Sequence, residues 1–269
     1  MRVIDLDRDM SDVIPTGTTP DSEYLFARMT DVTLGLTRAA PGKRILDVAS
    51  GVGQDSIALA ARGAATIGAE PSARMTGMAQ LFAADKKTAD PRLSIPSWVR
   101  SWSDSLPFAT GTFDAAVCKG AIDHFDRPEH AVAEMARVTK PDGRVVLAIA
   151  NFESLACRMG RALDEGNTAW LGRGMPTGRR GYDAPSDHFT RYELNLMREQ
   201  AERHLELEVV EGVSLGWGAP VWSKAISRLP RPIAQLALQA VDWVARAAPS
   251  LADVIVLAGR PRRSSSTSA

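Results

Sequence analysis

The stretch that most limits the fold is 43–56, Lys-Arg-Ile-Leu-Asp-Val-Ala-Ser-Gly-Val-Gly-Gln-Asp-Ser. It opens with a short apolar run, Ile45 to Val48, broken only by Asp47. Such a run reads as a buried parallel strand. Small residues follow at Ala49, Ser50, Gly51 and Gly53, and Ile57-Ala58-Leu59-Ala60-Ala61 then carries helix formers along an apolar stripe. Strand, glycine turn, helix is the opening of a nucleotide-binding βαβ unit. Without a Cβ, glycine lets the backbone bend sharply and lets a ligand come close to the main chain. The helix start directs free N–H groups and a partial positive charge at that ligand.

A second apolar run, Ala65-Thr66-Ile67-Gly68-Ala69, ends in Glu70 and Pro71. Glu70 follows Asp47 by 70 − 47 = 23 residues, close to the roughly 20 that separate a glycine turn from an acidic ribose ligand. A carboxylate there accepts hydrogen bonds from both ribose hydroxyls. Two readings stand at this point, a dinucleotide dehydrogenase and an S-adenosylmethionine (SAM) methyltransferase. The dinucleotide pattern needs Gly-x-Gly-x-x-Gly, and counted from Gly51 its third position is Ser56. That departure counts against NAD.

The chain resembles class I SAM-dependent methyltransferases of the small-molecule, methyltransferase-11-like type. The resemblance lies in Leu46-Asp47-Val48-Ala49-Ser50-Gly51-Val52-Gly53, in Glu70, in Ser105-Leu106-Pro107-Phe108, in Phe113-Asp114-Ala115-Ala116-Val117, and in Arg137-Val138-Thr139-Lys140-Pro141-Asp142-Gly143-Arg144. It covers about residues 40–150. It implies an α/β fold: a Rossmann-like, seven-stranded, mostly parallel sheet with helices on both faces and helical cap insertions. It also implies SAM as cofactor, held by Asp47, Ala49, Ser50, Gly51 and Gly53 around the turn and by Glu70 at the ribose. Lys119, at the end of the fourth strand, belongs to the same expected set. Ala49 stands where the family has its first glycine. The family's adenine loop maps onto 102–108, with its usual acid at Trp102. Adenine contact therefore falls to the Ser103 backbone, Asp104 or the Trp102 ring, and Asp104 reads equally as a surface turn acid. Tyr24, on a leading helix, is either a lid over the methionine end of SAM or ordinary packing.

The expected organisation is a helical segment at 1–42 covering the cofactor and a SAM-binding core at 43–150. Residues 151–259 complete the same domain, with cap insertions at about 151–187 and 216–249, and 260–269 form a flexible tail. Lys+Arg and Asp+Glu both number 32, so the formal net charge is zero and nothing global draws the chain to nucleic acid. Two cysteines, Cys118 and Cys157, make no disulfide framework, which fits a cytoplasmic compartment. The first nine residues carry acids where a secretory signal would be apolar, and no apolar run reaches the length of a membrane span.

Along the chain, Thr19-Pro20 opens a helix. Strands are expected at 44–48, 65–69, about 98–100, 115–118 and 145–150. Met75, Met78, Leu81 and Phe82 read as the core face of a helix. Asp126 and Glu129 have capping-box spacing, and Ala131, Val132, Met135 and Val138 form the buried stripe behind it. Pro141-Asp142-Gly143 reads as a turn, and 189–204 as a helix. The alternating 205–210 reads as a strand, and the resemblance implies that 206–210 and 253–258 form the antiparallel pair closing the sheet edge. Between them, Leu236, Ala240 and Trp243 share one helical face, and Gln235, Gln239, Asp242 and Arg246 another. Such a helix can lie on a membrane, but without a basic excess on its polar face it reads as packed on the domain.

Methyl transfer needs alignment and exclusion of water more than a protein nucleophile. A hydroxyl or carbon acceptor also needs a base. His124, just beyond the fourth strand, is the first candidate, set against a structural role at a helix start; His188 is the second. Cys118 reads as a packed thiol. Tyr182, Phe189, Trp217 and Trp222 suggest an apolar or ring-containing acceptor, or else fill the cap's own core. Arg173, Arg179 and Arg180 are either an anion clamp or solvated loop residues. The expected function is methyl transfer from SAM to a small-molecule or lipid-like acceptor. The alternatives are an NAD-dependent oxidoreductase and a non-catalytic SAM-binding protein.

Overall fold

The computed structural model describes residues 18–171, 178, 180–185, 188–219 and 221–262. Seven strands form one sheet: β1 (Arg44–Val48), β2 (Ala65–Ala69), β3 (Ser97–Val99), β4 (Phe113–Lys119), β5 (Thr139–Ala150), β6 (Leu205–Val213) and β7 (Val254–Pro261). Their spatial order is β3-β2-β1-β4-β5-β7-β6. Only β7 runs against its neighbours, pairing antiparallel with both β5 and β6. Chain order reverses between β1 and β4, which are hydrogen-bonded neighbours. Ligands of open α/β sheets bind outside the strand ends at such a reversal.

The helices are α1 (Pro20–Leu36), α2 (Gln54–Ala61), α3 (Ala73–Ala89), α4 (Pro128–Val138), α5 (Leu155–Leu171), α6 (Leu194–Glu202), α7 (Trp222–Ser227) and α8 (Arg231–Ala247). They cover both faces of the sheet because the central strands are apolar on both sides. On β4, Ala116 and Cys118 join a core that includes Val132 and Met135 of α4 and Met197 of α6. Ala115 and Val117, pointing the other way, join Leu25, Met29 and Val32 of α1 and Leu59 of α2. Period-two alternation of buried residues thus builds two hydrophobic layers on one sheet. Among the described residues no helix is long and apolar enough to cross a membrane.

Several local expectations need correction. In α3 the buried residues are Thr76, Ala79 and Ala83, while Leu81 is 69% exposed and Phe82 37%. The small residues let α3 approach closely: a Cβ on Gly53 would lie 2.8 Å from the Ala79 Cβ. Asp126 does not cap α4, whose N-cap is Arg127 with Pro128 in the first turn. The helix expected from 189 begins at Leu194, capped by Glu193 through the Asn195 and Leu196 N–H groups. Strand β5 starts at Thr139, before Pro141-Asp142-Gly143. The register against β4 jumps from Phe113↔Thr139 to Ala115↔Arg144, so these residues bulge out of the ladder.

Helix α8 faces opposite to its expected packing. Ala234, Leu238, Asp242 and Ala245 are its buried residues. Leu236 and Trp243, expected to pack inward, are 66% and 71% exposed.

Candidate functional site at the strand ends

The turn after β1 has a backbone that most residues avoid. Ala49, Gly51 and Gly53 all have positive φ, at 56°, 52° and 79°. In this left-handed region a side chain costs about 1 kcal/mol or more. The turn is tied to the next strand by the Ser50 N–H, which donates to the Ala69 carbonyl at 3.2 Å, and is closed by Gly53 N–H to Ser50 carbonyl at 2.8 Å. Gly68 of β2 leaves room for this packing, since a Cβ there would lie 2.7 Å from Ser50 Oγ.

Glu70 sits where β2 meets α3 and is nearly buried. One carboxylate oxygen accepts from the Gly51 N–H at 3.0 Å and the other from the Ser72 N–H, also at 3.0 Å. The carboxylate is thereby fixed across the turn. Asp47 is buried beneath the turn and accepts from Ser56 Oγ at 2.6 Å. Burial, and then the nearby Asp55 carboxylate, push its carboxyl up to about 7. Its role here is to hold the first turn of α2 against β1. Ser56, the position that departs from the dinucleotide pattern, is fully buried in that bond.

Lys119, at the end of β4, donates to Thr30 Oγ1 of α1 at 2.7 Å and to Asp55 Oδ1 of α2 at 2.8 Å. It joins three elements at the mouth. Tyr24 lies apart from that junction, against the Ile226, Ala234 and Leu238 cluster of α7 and α8. Burial and the Asp242 carboxylate raise its phenol. Ser103 is partly buried. Asp104 pairs with Arg127 at 2.6 Å, its side chain only 7% exposed. The loop beyond is clamped from α4: Glu134 accepts the Leu106 N–H, and Arg137 donates to the Leu106 and Phe108 carbonyls.

A second cluster lies one strand over. Asp123 is buried in a short 3-10 turn, Ile122–His124, that follows β4. Its backbone carbonyl accepts from Phe189 and Thr190 N–H groups, which pins the cap segment to the strand end. His188 Nδ1 lies 2.7 Å from Asp123 Oδ2. His124 Nε2 is 3.8 Å from Asp123 Oδ1, and its ring meets His188 edge-on at 4.3 Å between centroids. Sequence reasoning named both histidines but missed Asp123, which has no local pattern. The three are also close enough to hold a metal ion together. Cys118 beneath them is fully buried, and burial pushes its thiol up, away from nucleophilic use.

Beyond His188 the Phe152 ring packs at 5.9 Å, just before α5. Between α5 and the cap loops is a cavity of about 330 Å³, lined among others by Leu163, Tyr182 and Trp217. Arg180 is no open clamp: it donates twice to Asp164, at 2.8 and 2.7 Å, and Tyr182 donates to the same carboxylate at 2.7 Å. Arg173 and Arg179 lie outside the described residues.

The residues present fit a nucleoside cofactor. A tight turn with positive φ at Ala49, Gly51 and Gly53 lies beside a carboxylate fixed by two main-chain N–H groups. Residues 46–147 match the family model of a methyltransferase domain. An uncharacterized methyltransferase of Bacillus subtilis (strain 168), YcgJ, is 32% identical over 127 residues, 46% of this chain and 48% of its own length. A demethylmenaquinone methyltransferase of Beutenbergia cavernae is 36% identical over 116 residues, 43% of this chain and 44% of that protein. The chain thus spans about half the length of the curated relatives it matches. In structure, Bacillus YcgJ aligns with TM-score 0.55 at 17% identity, covering 88% of this chain and 99% of that one. Magnesium protoporphyrin IX methyltransferase from Synechocystis PCC 6803, with bound SAH, aligns with TM-score 0.56 at 17% identity, covering 89% and 85%. These structural likenesses establish a Rossmann-like fold.

Proposed function

We propose, from the premise that residues 46–147 are a class I SAM-dependent methyltransferase domain, that this chain methylates a small-molecule or lipid-like acceptor. The observation that carries the reading is the Glu70 carboxylate held across the positive-φ turn by the Gly51 and Ser72 N–H groups. In this reading the turn residues Ala49, Ser50, Gly51 and Gly53 cradle the cofactor and Glu70 binds its ribose. Asp47 supports the turn from below. Ser103 and Asp104 border the base, the latter steadied by Arg127. Lys119 and Tyr24 hold α1 and the cap helices over the mouth. SAM supplies a methyl group already activated on a sulfonium.

The chain's own contribution is to position the acceptor, exclude water and take a proton where the acceptor is a hydroxyl or carbon acid. His188 and His124 are the proton acceptors of this reading. His188 is the nearer of the two to the buried carboxylate, its Nδ1 lying 2.7 Å from Asp123 Oδ2. The 330 Å³ cavity lined by Leu163, Tyr182 and Trp217, and also by Asp164 and Arg180, suits a ring-containing molecule. Named relatives include demethylmenaquinone and ubiquinone-biosynthesis methyltransferases, which supports a ring with an apolar tail as acceptor. A cytoplasmic setting belongs to the same reading, supported by the two free cysteines.

Titration calorimetry with SAM is the direct test. Saturable binding in the micromolar range is expected; saturable NAD binding without SAM heat would replace this reading with the oxidoreductase one. Label transfer from methyl-labelled SAM to quinol and phenol acceptors then separates an enzyme from a non-catalytic SAM-binding protein.

A further inference from the structure

We propose that α7 and α8 form a docking face that lays the protein on an anionic lipid bilayer. The starting observation is Asp242. This acid is 1% exposed on the inner side of α8, where it pairs with Arg28 of α1 at 3.0 Å and accepts the Ser214 N–H at 3.0 Å. Arg246, one turn on, also binds it at 3.0 Å. Removing a partner from a buried ion pair is strongly destabilising. Asp242 therefore fixes which side of α8 faces the domain, and the apolar stripe is left facing out.

That stripe is Ile233, Leu236, Ala240 and Trp243, at helical spacing, with Ile233 52%, Leu236 66% and Trp243 71% exposed. Val221, before α7, is 72% exposed and Leu229, between the helices, 39%. Contiguous exposed apolar surface on a polar protein marks an interaction site. The surrounding charge selects the occupant. From 214 to 250 the basic residues are Lys224, Arg228, Arg231 and Arg246, and the one acid is the buried Asp242. Lys224, Arg228 and Arg231 are exposed, so the outer surface of this segment carries cations and no anion.

An exposed apolar stripe with tryptophan, on a segment whose exposed charged residues are Lys224, Arg228, Arg231 and Arg246, matches the interface of an anionic membrane. A second copy of this chain fits poorly. A symmetric pair through this face would bring the like cations of the segment towards each other. With no described helix long and apolar enough to cross a membrane, docking through α8 places it along the surface.

The test is co-sedimentation of the full chain with vesicles of phosphatidylglycerol and phosphatidylcholine, with tryptophan emission as a second readout. Binding is expected at low salt, with a blue shift of emission, and is expected to weaken as salt rises. Leu236→Glu combined with Trp243→Glu should abolish binding. Replacing Lys224, Arg228 and Arg231 by Gln should weaken it about a hundredfold. All these positions are exposed, and circular dichroism and SAM titration of the variants show whether fold and cofactor site survive. Those two measurements also keep failure of docking apart from failure of the methyltransferase reading. Wild-type protein that ignores anionic vesicles at low salt would overturn the proposal. So would equal binding by the Leu236→Glu, Trp243→Glu variant, or an α8-mediated dimer that leaves vesicles unbound.

Discussion

The two sides of the strand-end rim are built by different means. On the β1–β2 side the surface is mostly main chain: three consecutive odd positions with positive φ and one acid held by two backbone N–H groups. On the β4 side it is side chains, with Asp123, His124 and His188 meeting from segments 188 − 123 = 65 residues apart. A main-chain surface recognises what every cofactor molecule shares. A side-chain surface can change with each acceptor while the sheet beneath stays the same. The comparison predicts that damage to one side is read in cofactor affinity and damage to the other in turnover.

The sharpest test is Gly51→Val. A branched side chain at φ 52° strains the turn. SAM affinity is expected to fall more than about a hundredfold in calorimetry, a loss of roughly 3 kcal/mol; wild-type affinity would break the distinction on its first side. Next is Asp123→Asn. Losing the carboxylate that lies 2.7 Å from His188 Nδ1 is expected to lower kcat about a hundredfold while SAM affinity stays within about twofold. Its rescue pattern is informative: His188→Gln should match Asp123→Asn, and His124→Gln should have the smaller effect. Equal loss in both histidine variants would make them a joint site, and unchanged turnover in both would remove the pair from the chemistry.

Glu70→Gln comes third, expected to weaken SAM about tenfold to thirtyfold, because the amide keeps one acceptor but loses charge-assisted bonding. The smallest effect lies away from both sides. Burial pushes the Asp114 carboxyl up, but the Arg44 N–H and the Lys140 and Lys43 ammonium groups outweigh it and hold it at about 2. A depressed carboxyl stabilises the fold above its unfolded value and loses that contribution as pH falls towards 2. Asp114→Asn should therefore cost about 1–2 kcal/mol at neutral pH and flatten the acid limb of denaturation between about pH 4 and pH 2.

How much of this was legible in the sequence follows from the same division. Strands β1 and β2 lie at 44–48 and 65–69 as their apolar runs indicate, because both faces of each are buried and the run has no alternative use. The stripe Ala131, Val132, Met135 and Val138 is fully buried for the same reason. Periodicity says that a helix has two unlike faces; it does not say which one the domain takes. In α8 the inner face goes to Ala234, Leu238 and Ala245 around a buried acid, held there by the distant Arg28 and Ser214 N–H, which no local pattern announces. In α3 the larger Leu81 is exposed and alanines are buried, since close approach to Gly53 and Trp98 leaves no room for leucine. The Asp123–His188 contact is invisible to spacing because it joins a strand end to a cap loop through a fold that no local pattern encodes.

Lys119 has a consequence beyond its immediate bonds. One ammonium group spans α1, β4 and α2 through Thr30 and Asp55, so the leader of the chain is fastened to the pocket floor rather than merely resting on it. Whatever tightens that floor must also tighten the leader, by thermodynamic reciprocity. Protease resistance of the first helix thus becomes a gauge of occupancy at a place the ligand need not touch.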